Sequence, residues 1–242
     1  MPKISIVIIA KNADLTIRKS LESAVRFDEV IVYLNNSTDK TKEIASSFEN
    51  VKIVEGEFIG FGDTKNRAGE YAINDWILSL DSDEVLTEEL IEELLALDLS
   101  DTSKVYALKM DDYFLGHRLK FRTEKKVRLY NRTQHLFDSL KVHENVEYNK
   151  GDKIILKYPF KHLHINSVNQ TLEKTIRYTD IASKDKKTCF FAVVIAKPLF
   201  AFFQAYILRL GFLNGWVGFA VAISNANDRY YKYLKRYVNC QK

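Results

Sequence analysis

The first hundred residues alternate between strand-like and helix-like segments, and this alternation constrains the fold more than any other feature of the chain. A continuous run of mostly β-branched residues at 4–10, ISIVIIA, predicts a strand buried on both faces. Further strands are predicted at 29–34, 51–56 and 76–81, with helical patterns between and after them. Because parallel strands need crossover helices that cover the sheet, the alternation predicts an α/β fold with a mostly parallel central sheet.

Three acidic residues, Asp81, Asp83 and Glu84, mark the end of the fourth predicted strand in the stretch ILSLDSDEVL. Ligands of such sheets bind beyond the carboxyl ends of the strands, so Asp81 and Asp83 are expected at the rim of a crevice. A carboxylate pair there suits Mg²⁺ or Mn²⁺, which take oxygen ligands and keep positions open for substrate phosphates. A solvated turn or a helix start fits the local pattern equally well, since 16 aspartates in 242 residues give about one Asp-x-Asp by chance. Glu84 is expected only to lead into the following helix.

Three segments in the second half of the chain are further candidates. Glu144 in KVHENVE could act as a general base, although a surface strand with alternating polar residues would look the same. Arg128 in RLYNR has the forked guanidinium that suits phosphate oxygens, and a solvated basic loop is the alternative. His162 and His164 in KHLHIN point to the same side of a strand, where one could bind a metal or both could simply be hydrogen-bonded.

Charge and cysteine content narrow the class of protein. The net charge of +4 is too weak to indicate a nucleic-acid partner. Cys189 and Cys240 lie far apart in sequence and have no metal-ligand spacing. We therefore expect them to be reduced thiols of a cytoplasmic protein.

The chain changes character after residue 165. Residues 1–165 are expected to form the α/β domain, and 166–242 a helical extension rich in aromatic and basic residues. Such a composition suits an anionic membrane surface, and it equally suits a helical subdomain that packs on the sheet or on a second copy of the chain. The uncharged stretch 210–227 is a poor candidate for spanning a membrane because glycine, serine and asparagine interrupt it.

Taken in order, several segments resemble the inverting family 2 glycosyltransferases with the GT-A fold. The likeness is strongest to the bacterial enzymes that add a β-linked glucose to the inner core of lipopolysaccharide or lipooligosaccharide. It covers nearly the whole chain, and the order and spacing of the segments are more specific than any one of them. The matching segments are ISIVIIAKN, EVIVYLNNSTDKT, GFGDTKNRA, WILSLDSDE, VRLYNR, VHENV, HLH and RYTDIAS.

The resemblance assigns roles to the chemical residues. Asp83 is expected to coordinate a divalent metal, Mg²⁺ or Mn²⁺, and Asp81 to contact the sugar nucleotide. Glu144 corresponds to the carboxylate that takes the proton from the acceptor hydroxyl. His164 resembles a late histidine that completes the metal shell.

Five further residues are expected at the donor site. Lys65 and Asn66 match a donor-site pair, and Arg128 matches an arginine near the donor phosphates. Asn12 and Asn35 follow the first and second strands. The family's second strand usually ends in an acidic residue that helps hold the nucleoside, and here that position is Leu34.

The resemblance implies metal-dependent transfer of glucose from UDP-glucose onto an inner-core heptose. Because that acceptor is lipid-linked, the enzyme is expected to be peripheral on the cytoplasmic face of the inner membrane. The alternatives are another hexose donor, another glycan acceptor such as capsule or a glycoprotein, or a non-catalytic membrane-associated binding protein. A sugar-phosphate nucleotidyltransferase is disfavoured because AKNADLTIRKS, after the first strand, contains no glycine to hold a triphosphate.

Overall fold

The computed structural model describes residues 2–139 and 144–241, apart from the side chains of residues 121–123 and 164. The strands are β1 (Ile4–Ala10), β2 (Glu29–Leu34), β3 (Val51–Glu55), β4 (Trp76–Asp81), β5 (Glu84–Val85), β6 (Val105–Phe114), β7 (His117–Asn131) and β8 (Lys153–Ile165). The helices are α1 (Ile17–Ser23), α2 (Thr41–Ser46), α3 (Phe61–Gly69), α4 (Glu88–Leu95), α5 (Val168–Ser183), α6 (Phe191–Phe203) and α7 (Gly215–Gln241).

The described strands form one sheet in the order β3-β2-β1-β4-β7-β6-β8-β5. Strands β3, β2, β1 and β4 are parallel, and β7 joins β4 in antiparallel register with Leu129 opposite Leu78. The predicted α/β class is therefore confirmed, with a parallel core to which antiparallel strands are added. In β1, Ile6 and Ile8 belong to one apolar cluster and Val7 to another, which explains the uninterrupted apolar run.

Three predicted site residues, Asn12, Asn35 and Asp81, lie at one edge of the parallel part of the sheet. Ala10, Leu34 and Asp81 end β1, β2 and β4, and the register pairs Ala10 with Leu34 and Ile9 with Asp81. Asn12 and Asn35 lie just beyond the same strand ends. Leu34 itself is buried in the core cluster, so its side chain does not face this edge as a ligand group.

The chain divides into two compact units. Residues 1–111 and 123–163 make the first, and 112–122 with 164–242 make the second. The second unit has its own apolar cluster, formed by Phe114, Leu119, Ile165 and Val217. It therefore contains the tip of the β6–β7 hairpin as well as the predicted C-terminal helices. The predicted domain boundary at residue 165 stays a prediction.

The two cysteines are joined, and the prediction of two reduced thiols is wrong. Cys189 and Cys240 form a disulfide with their Cα atoms 5.4 Å apart, within the range that allows such a bond. Cys189 precedes α6 and Cys240 lies in the last turn of α7. The helices run antiparallel, so the start of one meets the end of the other, which a sequence separation of 51 residues does not reveal.

One apolar segment of the C-terminal helices is long enough to be a candidate membrane span. Within the described residues, Phe191–Leu208 is the one helical stretch that is long and apolar enough to cross a bilayer, judged by length and composition alone. It consists of α6 and a π-helical turn at Gln204–Leu208. The stretch 210–227 is not a continuous helix, because a 3₁₀ turn at Gly211–Asn214 precedes α7.

Candidate active site

Oppositely charged side chains alternate at the end of β4. The Lys65 ammonium lies 2.8 Å from Glu144 and 3.0 Å from Asp81. Arg128 donates to the other oxygen of Asp81 at 2.8 Å and also to Glu84. Acid and base alternate along this row, so each charge has opposite charges beside it.

Local structure explains how this row forms. Asp81 is the last residue of β4, and Arg128 lies on β7, which pairs with β4. Lys65 is on α3 and is 2% exposed, with its ammonium 5.2 Å from the centre of the Phe137 ring. Burial alone would raise the pKa of Asp81, but the Arg128 guanidinium and the Lys65 ammonium outweigh it and hold that pKa well below its usual range.

Glu84 has a larger role than the sequence indicated. It begins β5 rather than a helix, and α4 starts only at Glu88. The Glu84 side chain is fully buried and accepts a 3.0 Å hydrogen bond from the backbone N–H of Asp81. Burial raises the pKa of Glu84 to about 7, against the lowering effect of Arg128. The expectation that Glu84 only leads into the next helix is therefore wrong.

The burial of Glu84 depends on a contact distant in sequence. Strand β5 pairs with β8, and Glu84 lies opposite His162. The hydroxyl of Ser20 also donates a 2.6 Å hydrogen bond to the Glu84 carbonyl. A two-residue strand has no periodicity to detect, so the sequence carried no signal for this position.

Arg128 is 3% exposed and contacts both acids through one terminal nitrogen of its guanidinium. Its Nε atom is buried and has no hydrogen-bond partner among the described residues. The guanidinium carbon lies 5.9 Å from the centre of the Phe160 ring. Arg128 therefore holds Asp81 and Glu84 together and also lines a cavity.

The segment that carries Glu144 is fixed at both ends. Phe137 and Val146 form an antiparallel bridge, and Asp138 donates a 2.9 Å backbone hydrogen bond to the carbonyl of Asn145. Asn66 contacts the backbone of Phe137 through both ends of its amide. His143, which precedes Glu144, lies outside the described residues. The side chain of Asn66, which is predicted to bind donor, therefore holds this segment in position.

Asn12 likewise uses its side chain on the protein. Its Oδ1 accepts a 2.8 Å hydrogen bond from the backbone N–H of Thr38, and its own N–H donates to Ser37 at 3.1 Å. Asp39 accepts a 3.0 Å hydrogen bond from the N–H of Asp14. These bonds tie the loop after β1 to the loop after β2. Asn35 is half-buried between them and donates its backbone N–H to Ala10 at 2.9 Å.

The predicted metal ligands give a partial set. Asp83 lies 3.6 Å from Nε2 of His162, and its carbonyl accepts a 2.8 Å hydrogen bond from Leu163. The side chain of His164 lies outside the described residues. Within the described part of the chain, no three His, Cys, Asp or Glu side chains are grouped to hold a metal. A carboxylate and an imidazole side by side nevertheless suit a Mn²⁺ or Mg²⁺ ion whose other ligands come from substrate phosphates.

A cavity of about 390 Å³ opens beside the row of charges. Asp81, Arg128 and Glu144 line it, so three of the predicted residues share one cavity. Lys125, Lys126 and Lys153 add positive charge to its wall, against one further negative charge from Glu124. Its size and cations suit a small phosphorylated ligand.

The sequence model of "Glycosyl transferase family 2" matches residues 5–157, which is more than half of the chain and includes the whole row of charges. The chain belongs to glycosyl transferase family 2. The enzyme class predicted from the sequence, a glycosyltransferase, is thereby confirmed.

Curated relatives of this family 2 glycosyltransferase cover almost its full length. It is 30% identical to an uncharacterized glycosyltransferase of Rickettsia typhi, over 97% of this chain and 87% of the relative. It is 26% identical to the lipopolysaccharide core biosynthesis glycosyltransferase LpsC of Rhizobium meliloti, over 89% of this chain and 83% of the relative.

Solved structures support the fold of this family 2 glycosyltransferase. S. aureus TarS 1-349 in complex with UDP-GlcNAc matches 99% of this chain and 92% of its own, with a TM-score of 0.52 and 16% identity. Against a longer TarS chain, the match covers 40% of that chain, with a TM-score of 0.50. At this identity the likeness shows the GT-A fold and not the reaction.

Proposed function

We propose that this glycosyltransferase moves a hexose, glucose from UDP-glucose, onto an inner-core heptose of lipopolysaccharide or lipooligosaccharide, with inversion. The observation that carries the proposal is Lys65, whose ammonium bridges the candidate base Glu144 and the strand-end Asp81 beside the cavity. The name of LpsC supports the class of acceptor. The TarS complexes with UDP and UDP-GlcNAc support a uridine nucleotide donor.

The base is the first part of the mechanism. Glu144 takes the proton from the acceptor hydroxyl as that oxygen attacks the anomeric carbon. Attack from the face opposite to the leaving diphosphate inverts the configuration. Lys65 fixes the orientation of Glu144 with its 2.8 Å hydrogen bond, so the carboxylate is positioned before the acceptor arrives.

The leaving diphosphate is the second part. Arg128, Lys125, Lys126 and Lys153 surround the cavity with cations that attract the donor phosphates. Asp83 and His162 would hold a divalent cation, Mg²⁺ or Mn²⁺, which neutralises charge on the departing diphosphate when bound. Asp81 is fixed by Lys65 and Arg128 and presents its remaining accessible edge to the donor.

A donor panel tests the proposal. Purified full-length chain is incubated with UDP-, GDP- and ADP-hexoses and Mn²⁺, and release of the nucleotide diphosphate is measured with and without heptose-containing core oligosaccharide. We expect release to be greatest with UDP-glucose and to rise with the acceptor. Greater turnover of another donor, or no stimulation by core oligosaccharide, would overturn the assignment.

Glu144→Gln tests the base. The variant should bind UDP as the wild type does and should lose transfer by about 100-fold or more, the usual effect of removing a general base. Glu147→Gln is the matched control, because Glu147 is exposed three residues away. Wild-type transfer by Glu144→Gln would remove Glu144 from the mechanism.

A further inference from the structure

Helix α6 exposes a row of large apolar side chains. Phe191, Ile195, Leu199 and Phe203 are spaced four residues apart, and each is between 48% and 66% exposed. Residues at this spacing lie along one side of a helix, so the four form a continuous line, called here the α6 stripe. Only 11% of the apolar stretch 191–208 is buried. A line of this kind on a soluble protein marks a contact surface.

Between Asp185 and Asp228, the segment that contains the α6 stripe carries only positive charge. Residues 186–227 contain four Lys or Arg and no Asp or Glu. Lys232 of α7 lies within electrostatic range of four other cations. These are Arg229 and Arg236 of the same helix, and Lys186 and Lys197. Burial lowers the pKa of Lys232, and repulsion from these four cations lowers it further. Holding the five cations together costs free energy that an anionic surface would offset.

The pairing of α7 with α6 limits the ways in which the apolar α6 can contact a bilayer. The Phe191 ring lies 5.3 Å from the Tyr237 ring, the Phe202 ring lies 5.7 Å from Phe219, and the disulfide joins the start of α6 to the end of α7. The two helices are therefore paired along their length. A spanning α6 would draw the cations of α7 into the hydrocarbon, which is strongly unfavourable. An α6 that lies in the interface leaves them at the level of the headgroups.

We propose that the second compact unit binds the surface of an anionic lipid bilayer. The α6 stripe lies in the interface, and the five cations Lys186, Lys197, Arg229, Lys232 and Arg236 contact the headgroups. The apolar stripe accounts for contact with acyl chains, and the surrounding cations account for selection of anionic lipid. This binding is independent of the transfer reaction. It would make the chain a peripheral membrane protein, as the sequence resemblance implies.

Vesicle sedimentation of the full-length protein tests the proposal. The vesicles are pure phosphatidylcholine or phosphatidylcholine mixed with phosphatidylglycerol. Two variant pairs separate the two contributions: Ile195→Ser with Leu199→Ser removes part of the stripe, and Lys186→Glu with Lys197→Glu reverses two cations. Val25→Ser with Ile73→Ser and the single change Lys19→Glu are matched controls, because these residues are exposed in the other unit. Donor hydrolysis by each variant reports whether it is folded.

We expect the wild type to sediment with phosphatidylglycerol vesicles and to be released by salt or by carbonate at high pH. Each of the two variant pairs, Ile195→Ser with Leu199→Ser and Lys186→Glu with Lys197→Glu, should weaken binding by about tenfold or more. The controls should not weaken it. Equal binding to both kinds of vesicle would overturn the proposal. Binding that the two variant pairs leave unchanged would also overturn it. So would resistance to carbonate, which indicates a spanning helix. A dimer that the stripe pair dissociates, without vesicle binding, would assign the stripe to a second copy of the chain.

Discussion

The side-chain amide of Asn66 makes two hydrogen bonds of 2.9 Å with the backbone of Phe137, one to its N–H and one to its carbonyl. This pairing resembles one rung of a sheet, with a side chain in place of the second strand. Because the preceding residue of α3, Lys65, holds Glu144, one helix fixes both Phe137 and the candidate base. The position of Glu144 therefore depends on α3.

Replacement of Asn66 by Leu should lower transfer more than donor binding. The change leaves the N–H and carbonyl of Phe137 without their partner, which costs about 1 to 3 kcal/mol of unfolding free energy. The KM for donor should stay near the wild-type value while kcat falls, because Glu144 loses its fixed position. Steady-state kinetics and urea unfolding measure the two effects, with the exposed Asn149→Leu as control.

Gly62→Ala should disturb the same segment through steric contact. A Cβ at residue 62 would lie 1.9 Å from the backbone carbonyl oxygen of Asp138, so α3 and the 137–146 segment would have to separate. Gly69→Ala in the same helix is the control, since its nearest neighbour would be a carbon of Ile77 at 4.0 Å.

Transfer activity and melting temperature distinguish the two glycine variants. We expect Gly62→Ala to lower both and Gly69→Ala to keep or slightly raise the melting temperature, since alanine favours a helix by about 0.5–1 kcal/mol. Equal behaviour of the two would show that the contact of Gly62 with Asp138 is unimportant.

Removal of the buried acid Glu84 should be costly. Glu84→Ala leaves Arg128 buried with one carboxylate instead of two and should lower the unfolding free energy by about 3–5 kcal/mol. Glu84→Gln keeps one acceptor oxygen, which can serve either Arg128 or the Asp81 N–H, so its loss should be smaller than that of Glu84→Ala. The exposed Glu89→Ala provides the control, and a cost equal to that of Glu84→Ala would contradict the assignment.

Asp39 should make the stability of the donor-side loops depend on pH. Burial would raise its pKa, but hydrogen bonds from the side chain and backbone of Thr41 and from Asp14 lower that pKa below the ordinary value of an aspartate. A lowered pKa in the folded state means that the stabilisation is full above the unfolded pKa and is lost as the pH falls through the folded one. The unfolding free energy of the wild type minus that of Asp39→Asn should thus be largest near neutral pH and shrink in acid.

Metal dependence should follow Asp83 and His162. Chelation should abolish donor hydrolysis, and Asp83→Asn and His162→Ala should each raise the Mn²⁺ concentration needed for half-maximal activity, by about 10- to 100-fold for a lost ligand interaction. Asp75→Asn and His117→Ala serve as controls in the same titration. Full activity of the wild type in chelator would exclude a role for the metal.

The fold and part of the site followed from sequence because they rest on local patterns. The apolar run of β1 reports burial on both faces, and Asp81 is placed at the crevice because a strand end needs no tertiary information to locate. The resemblance predicts Lys65 and Arg128 at the donor site, and the structure places both beside Asp81. Arg128 reaches Asp81 because the strand order places β7 beside β4.

The remaining features depend on contacts that periodicity does not encode. Glu84 is buried only because β5 pairs with β8, and His162 lies beside Asp83 for the same reason. Asn12 and Asn66 are predicted donor contacts, and in the structure both side chains hydrogen-bond protein backbone, as polar side chains near strand ends and on helices often do. The direction of such hydrogen bonds is decided by the packing of loops.

The disulfide between Cys189 and Cys240 makes a closed ring of the segment that contains α6 and α7. A single proteolytic cut between these residues would leave both pieces attached to one another until the bond is reduced. Whether the α6 stripe survives such a cut then depends on the redox environment, because the fragments cannot diffuse apart while the ring is closed.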